Sequence, residues 1–211
     1  PGAVLAGRVQ FSGSSPAPTP EQIGRMMFGV RSVSEPEERS TRIDPTGTFR
    51  TPGHAPGRHL INVTPPPPGW TLASVRVGGV DAAGQAFTLG SDDVTDVVVT
   101  FTDRTITLSG PVSAADPSAP PEATVVVMPV DVRAWIASGM SMRRVGTTST
   151  LTGTYQLTIP LPGDYLVVAV PPDVNPEIDP DFATRFAAGA VRVSLAPGET
   201  KTQPLTVRRP R

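Results

Sequence analysis

The chain has no cysteine in its 211 residues. That absence removes disulfides, thiolate metal sites and thiol nucleophiles together. A charge excess is also missing, because 18 basic residues against 19 acidic ones leave a formal charge of -1. The electrostatic footprint of a nucleic-acid binder is therefore absent, and an anionic membrane surface is no better matched. No apolar stretch approaches the roughly 18 residues that signal a membrane span, so membrane insertion is not expected. Ahead of the first apolar segment there is no basic region leading into a signal core. The start at Pro1 rather than Met points to a processed chain or a piece of a longer one. Aromatic residues are sparse at 5%.

Chain breakers are abundant instead: 26 Pro and 20 Gly exclude long helices. The 26 Val and 24 Thr are β-branched, lose rotamer freedom in helices and pack well on a pleated surface. Runs such as Val97-Val98-Val99 and Val125-Val126-Val127 supply a core that a disordered, highly charged tail would lack. The composition is that of an all-β protein.

Comparing the chain with itself gives its organisation. Gly47-Thr48-Phe49 matches Gly153-Thr154-Tyr155, Pro56-Gly57 matches Pro162-Gly163, Leu89 matches Leu195, and Val99 and Phe101 match Leu205 and Val207. All of these pairs share one offset. Leu5-x-Gly7-x-Val9 matches Leu108-x-Gly110-x-Val112 at a slightly smaller offset, as a length change in an early loop would produce. The expectation is two copies of one unit, a first domain over residues 1-103 and a second over 104-211.

Within each copy the pattern has period two. Tyr155, Leu157 and Ile159 alternate with Thr154, Gln156 and Thr158, and Val191, Val193 and Leu195 alternate with Arg192 and Ser194, which describes half-buried strands. Turn signals separate them at Asp44-Pro45-Thr46-Gly47, Pro162-Gly163-Asp164 and Pro197-Gly198. About seven strands per copy are expected, near 3-11, 25-31, 47-51, 58-63, 72-77, 86-89 and 94-101, then 105-112, 123-130, 143-148, 152-159, 164-170, 190-195 and 201-207. Short strands so punctuated make two consecutive Ig-like β-sandwiches. Residues 20-27 and 181-188 suit a short helical turn each, with Phe182 and Phe186 expected to cap an open sandwich end. Residues 132-142 fit neither pattern.

Three segments carry a family resemblance: Val75-Arg76-Val77-Gly78-Gly79-Val80-Asp81, the run from Asp92 to Thr102, and Leu161-Pro162-Gly163-Asp164-Tyr165. With them, both copies resemble the bacterial carboxypeptidase regulatory-like domain, most clearly over 71-112 and 150-207. The resemblance implies a transthyretin-like, non-catalytic sandwich of about seven strands, found as a piece of larger exported or envelope proteins. The first copy departs from it in having His59 where the second has Tyr165, and in its long polar stretch 31-46.

Chemistry finds little to use. Zinc hydrolysis takes three protein ligands around an open position, and only His54 and His59 exist. Five residues apart with Pro56-Gly57 between, they can meet across a turn, but neither is assigned a role as base or ligand, and His59 is expected to be a strand residue with a satisfied ring. Nucleophile elbows and phosphate-cradling Gly loops are absent from the sequence. Asp92, Asp93 and Asp96 form one acidic cluster. Asp173, Glu177, Asp179 and Asp181 form another, the weak candidate for structural calcium, although Asp beside Pro and Gly equally serves turns. Trp70 and Trp135 are weak candidates for sugar stacking, against core closure as the simpler use. Asn62-Val63-Thr64 fits a glycosylation sequon weakened by Pro65. No catalytic residue, cofactor or metal is expected.

The function expected is a non-catalytic structural or interaction module of the cell envelope or extracellular space, part of a larger exported protein or a self-assembling filament subunit. Its partners would be proteins; the strand-like segments at the chain's two ends could pair with copies of itself, against the simpler reading that they are the first and last strands of their own domains. A carbohydrate-binding module and the accessory domain of an upstream enzyme are the alternatives.

Overall fold

The computed structural model describes residues 2-34, 38-114, 122-132, 145-150, 152-159, 161-174 and 181-208. The protein is all-β, two consecutive β-sandwiches, and divides into the compact units Pro1–Arg104 and Thr105–Arg211.

In the first unit, β1 (Leu5–Ser12) is followed by a single helical turn, α1 (Pro20–Ile23), and then by β2 (Met27–Ser32), β3 (Glu38–Arg42), β4 (Thr48–Arg50) and β5 (Gly57–Thr64). The hairpin β6 (Thr71–Val77) and β7 (Val80–Asp81), the short β8 (Phe87–Leu89) and the long β9 (Val94–Thr102) complete it. One sheet has the order β4-β1-β9-β6-β7, the other β3-β2-β5-β8. Along β9 the buried Val97, Val99 and Phe101 alternate with Val98 and Thr100, the period-two pattern of a strand with one face on the core. Between the sheets Phe28 of β2 stacks on Phe49 of β4 with ring centroids 4.1 Å apart. The turn of α1 is held by a capping box: Thr19 Oγ1 accepts from the Gln22 amide, and Gln22 Oε1 accepts from the Thr19 amide.

The second unit repeats this order with β10 (Ile106–Ser113), β11 (Ala123–Pro129), β12 (Val145–Thr150), β13 (Thr154–Ile159), β14 (Gly163–Val170), α2 (Phe182–Ala187), β15 (Val191–Leu195), β16 (Thr200–Thr202) and β17 (Leu205–Thr206). Its sheets are β13-β10-β16, with β17 also on β10, and β12-β11-β14-β15. Gly47 and Gly153 have φ of 88° and 75°, and Gly57 and Gly163 have 146° and 145°, so each glycine pair holds the same left-handed geometry in its own unit.

The two units differ between their fifth and eighth strands. In the first, β6 and β7 cross to the other sheet and extend it beyond β9. In the second, the same stretch of chain includes α2, whose Phe186 packs on Val126, Met128, Leu166, Val168 and Val170. Those residues alternate with Val125, Val127, Tyr165, Val167 and Ala169, which face the inter-sheet core. Strands β11 and β14 are thus buried on both faces, which is why they read as continuous apolar runs.

Several expectations need correction. Phe186 covers the outer face of a sheet rather than a sandwich end; the Phe182 side chain lies outside the described residues. Strand β3 carries no strand pattern because Glu38–Arg42 is polar throughout; it is an edge strand, and charges there discourage pairing with another chain. Neither β3 nor the two-residue β7 is among the expected strands. The single strand expected over 201-207 is two: the Gln203 amide still donates to the Ser109 carbonyl, but Pro204 has no amide and interrupts the ladder before Leu205. The chain ends follow the simpler of the two readings and pair inside their own units: β1 lies between β4 and β9, and β17 lies beside β10. Except for Val132, the ambiguous segment 132-142 lies outside the described residues.

Candidate functional site

One end of the first sandwich gathers the chain's two histidines. His54 sits between β4 and β5, fixed by two backbone hydrogen bonds exchanged with Ala3, each 2.9 Å. His59 lies on β5 opposite Ser32 of β2 and Phe87 of β8. Alternation turns His59, Ile61 and Val63 toward the interior. Both imidazoles are 4% exposed, and their ring centroids are 6.0 Å apart at 71°.

The two rings are satisfied differently. His59 Nδ1 lies 3.1 Å from the Gly57 carbonyl oxygen. A carbonyl only accepts, so Nδ1 carries the proton, and in the neutral ring Nε2 is left as the one with a lone pair. His54 Nε2 is buried and has no hydrogen-bond partner. Burial pushes the His54 pKa below its ordinary value of 6.5, and the positive charges of His59 and Arg39 push it the same way.

Around the rings is a recess of about 250 Å³, lined also by Val30, Ser32, Ser34, Arg39, Ala55 and Pro56. The Ser32 and Ser34 hydroxyls are 2.9 Å apart. Hydroxyls, imidazoles and a guanidinium converge there, and among the described lining residues there is no carboxylate. A Ser-His-acid triad and a hard-cation site both require one. Among the described residues, no group of three or more His, Cys, Asp or Glu side chains is placed to hold a metal ion.

The other candidates fall elsewhere. Trp70 is 5% exposed, packed edge-on against Phe11 at 5.1 Å, so it closes the core and offers no face to a sugar. Trp135, Glu177 and Asp179 lie outside the described residues. Asp173 and Asp181 are exposed. In the first acidic cluster Asp93 accepts from the Val4 amide at 2.8 Å and faces Arg50 at 3.5 Å, tying β1 and β4 to the start of β9; Asp92 and Asp96 are exposed. Asn62 stands in the middle of β5 with its side-chain oxygen buried, not on the surface loop a glycosylation acceptor needs.

The sequence placed His54 and His59 near each other but missed Ser32, Ser34 and Arg39, which come from the polar stretch that carried no strand pattern. The usable signal was the exchange of His59 for Tyr165 between the two copies.

No protein-family model matches the chain, and no curated protein matches it. Among solved structures it is similar to GBS52, the minor pilin of Streptococcus agalactiae, at 9% identity and a TM-score of 0.38, over 99% of this chain and 97% of that one. A streptococcal ancillary pilin is similar at 12% identity and a TM-score of 0.37, over 99% of this chain and 63% of that one. The Bacillus anthracis TIE protein is similar at 12% identity and a TM-score of 0.32, over 97% of this chain and only 34% of that one. Likenesses of this strength assign nothing to the chain.

Proposed function

We propose that the protein is a non-catalytic structural module, two sandwiches of the carboxypeptidase regulatory-like kind that carry the chain through a larger protein or assembly outside the cytoplasm. The observation that carries this reading is the parallel pairing of the first and last strands in each unit. Strand β1 runs parallel to β9 from Leu5 beside Val94 to Ser12 beside Thr102, and β10 runs parallel to β16 and β17. Parallel neighbours start at the same end, so the chain enters each sandwich at one pole and leaves at the other. Pulling on the chain then loads the β1–β9 hydrogen bonds in shear, all together, instead of peeling them one at a time. Three carboxylates support the same reading, since they are spent on structure: Asp44 on the Thr46 turn, Asp164 on Arg192 and Ser194, and Glu199 on the Ala196 amide.

The test is single-molecule extension of the whole chain from its termini. Two discrete unfolding events are expected, each releasing roughly 350 Å for a unit of this size, at about 3.4 Å per residue. Gradual lengthening without discrete events would overturn the reading. Sedimentation velocity and electron microscopy of the same chain test whether copies join into filaments.

A further inference from the structure

We propose that the histidine-lined recess of the first sandwich binds a small oxyanion, a phosphate or carboxylate group on a ligand or partner. This goes beyond the structural function and does not depend on it.

The first argument is the unmet polar group. A buried imidazole nitrogen without a partner is costly to leave unmet, and His54, whose Nε2 has no hydrogen-bond partner, is one of the residues lining a polar recess of about 250 Å³. As the Nε2–H tautomer, or protonated, His54 carries an unused donor beside the recess, within reach of an anion seated there once the ring turns toward it. Ser32 and Ser34 supply hydroxyls, and Arg39 supplies the planar donor fork that matches carboxylate and phosphate oxygens. On β3 the neighbouring Glu38 faces the other way, its carboxylate lying over Gly29. Glu35 and Glu37 lie outside the described residues.

The second argument is that the fold does not require this polarity. In the first unit Val30 pairs with Arg39 on one side and Ile61 on the other, and His59 pairs with Ser32. In the second unit the corresponding register has Val127 paired with Val145 and Val167, and Tyr165 paired with Pro129. Arg39, Ser32 and His59 thus stand where the second sandwich has Val145, Pro129 and Tyr165. Ala55 likewise stands where the repeat offset places Leu161, whose carbonyl accepts the Tyr165 hydroxyl at 2.6 Å. Tyr165 is fully buried and fills its corner. The second sandwich fills this corner with Tyr165, while the first keeps it open and lines it with donors.

Charge decides between an oxyanion and a metal ion. Two neutral imidazoles at this separation suit a soft or borderline cation, but Arg39 is near enough to depress the His54 pKa, and a guanidinium repels a cation while it attracts an anion. Of the groups facing His54, Arg39 on β3 and His59 on β5 are cationic or neutral, and binding an anion lets His54 take up a proton.

With only two histidines in the chain, imidazole NMR of the intact protein reports the site directly. Inorganic phosphate and acetate are titrated at constant ionic strength against chloride. Saturable shifts of both histidine signals are expected, with the His54 pKa raised by about one unit at saturation, a tenfold preference for the protonated ring. Tighter phosphate binding assigns a phosphoryl group, tighter acetate binding a carboxylate, and either supports the site. Arg39→Ala, an exposed edge position, should weaken binding at least tenfold. His59→Tyr, the residue the second sandwich uses, should fold and abolish binding. Histidine signals unmoved by both anions, equal shifts in Arg39→Ala, full binding by a folded His59→Tyr, or a response to zinc alone would each overturn the proposal.

Discussion

Gly7 and Gly110 show how single positions constrain this fold. A Cβ on Gly7 would overlap the Val97 carbonyl, and one on Gly110 would overlap the Gln203 carbonyl. In each unit the last strand presses its backbone against the first strand at the glycine of the Leu-x-Gly-x-Val motif. Gly7→Ala and Gly110→Ala should each destabilise their own unit by about 1-3 kcal/mol, the usual cost of forcing atoms into a packed site, measured by urea unfolding. The Gln203 carbonyl also accepts the Tyr155 hydroxyl at 2.8 Å. Burial pushes the Tyr155 pKa up to about 12, and absorbance titration should show it ionising far above the ordinary value of 10. His54 titrates the opposite way. Its folded pKa is depressed, so the unfolded chain holds the proton more tightly, and stability present above pH 6.5 is lost as pH falls toward the folded value. In chloride, the wild type should lose more stability than His54→Gln between pH 7.5 and 5, read from urea midpoints. Asp103 follows the acid rule: the Ser15 and Ser14 amides hold its pKa at about 2, so its contribution is present above the ordinary carboxylate range and fades as pH falls toward 2.

At the scale of elements, the strands legible in the sequence are those that carry apolar residues, either alternating with polar ones or, as in β11 and β14, in an unbroken run. Strand β13 is legible because Tyr155 and Ile159 are buried while Thr154, Gln156 and Thr158 are exposed. Strand β3 was invisible because an edge strand in a polar environment needs only backbone partners, and Arg39 and Ser40 carry no inward apolar signal. The recess was half legible for the same reason: two histidines flank a Pro-Gly turn, but its other donors sit on or beside the strand with no pattern. The α2 helix was legible as a helix, but not as the cover of a second apolar face, since a run such as Val125-Val126-Val127 does not say what packs on its far side. Phe186 is 3% exposed in that layer. Phe186→Ala should cost about 3-5 kcal/mol, read by urea unfolding of the second unit. A cost under 1 kcal/mol would mean that α2 is dispensable to the sheet.

For the whole molecule, each unit is sized like an ordinary single domain. Each also closes the core it needs. In the second, the cluster around Tyr165, Leu108 and Val167 draws every member from residues after Thr105. In the first, the stack of Phe28 on Phe49 and the pairing of Phe11 with Trp70 and Phe101 draw on residues before Arg104. The strands that begin and end each unit pair with one another, so cutting the chain between Arg104 and Thr105 breaks no strand ladder among the described residues. Residues 1-104 and 105-211 should therefore each fold when produced alone. Dispersed amide NMR spectra and cooperative thermal unfolding are the expected results, and the 1-104 fragment should keep both histidine signals at the positions they have in the intact chain. Collapse of either fragment to an undispersed spectrum would show that its sandwich depends on contacts its own sequence does not supply.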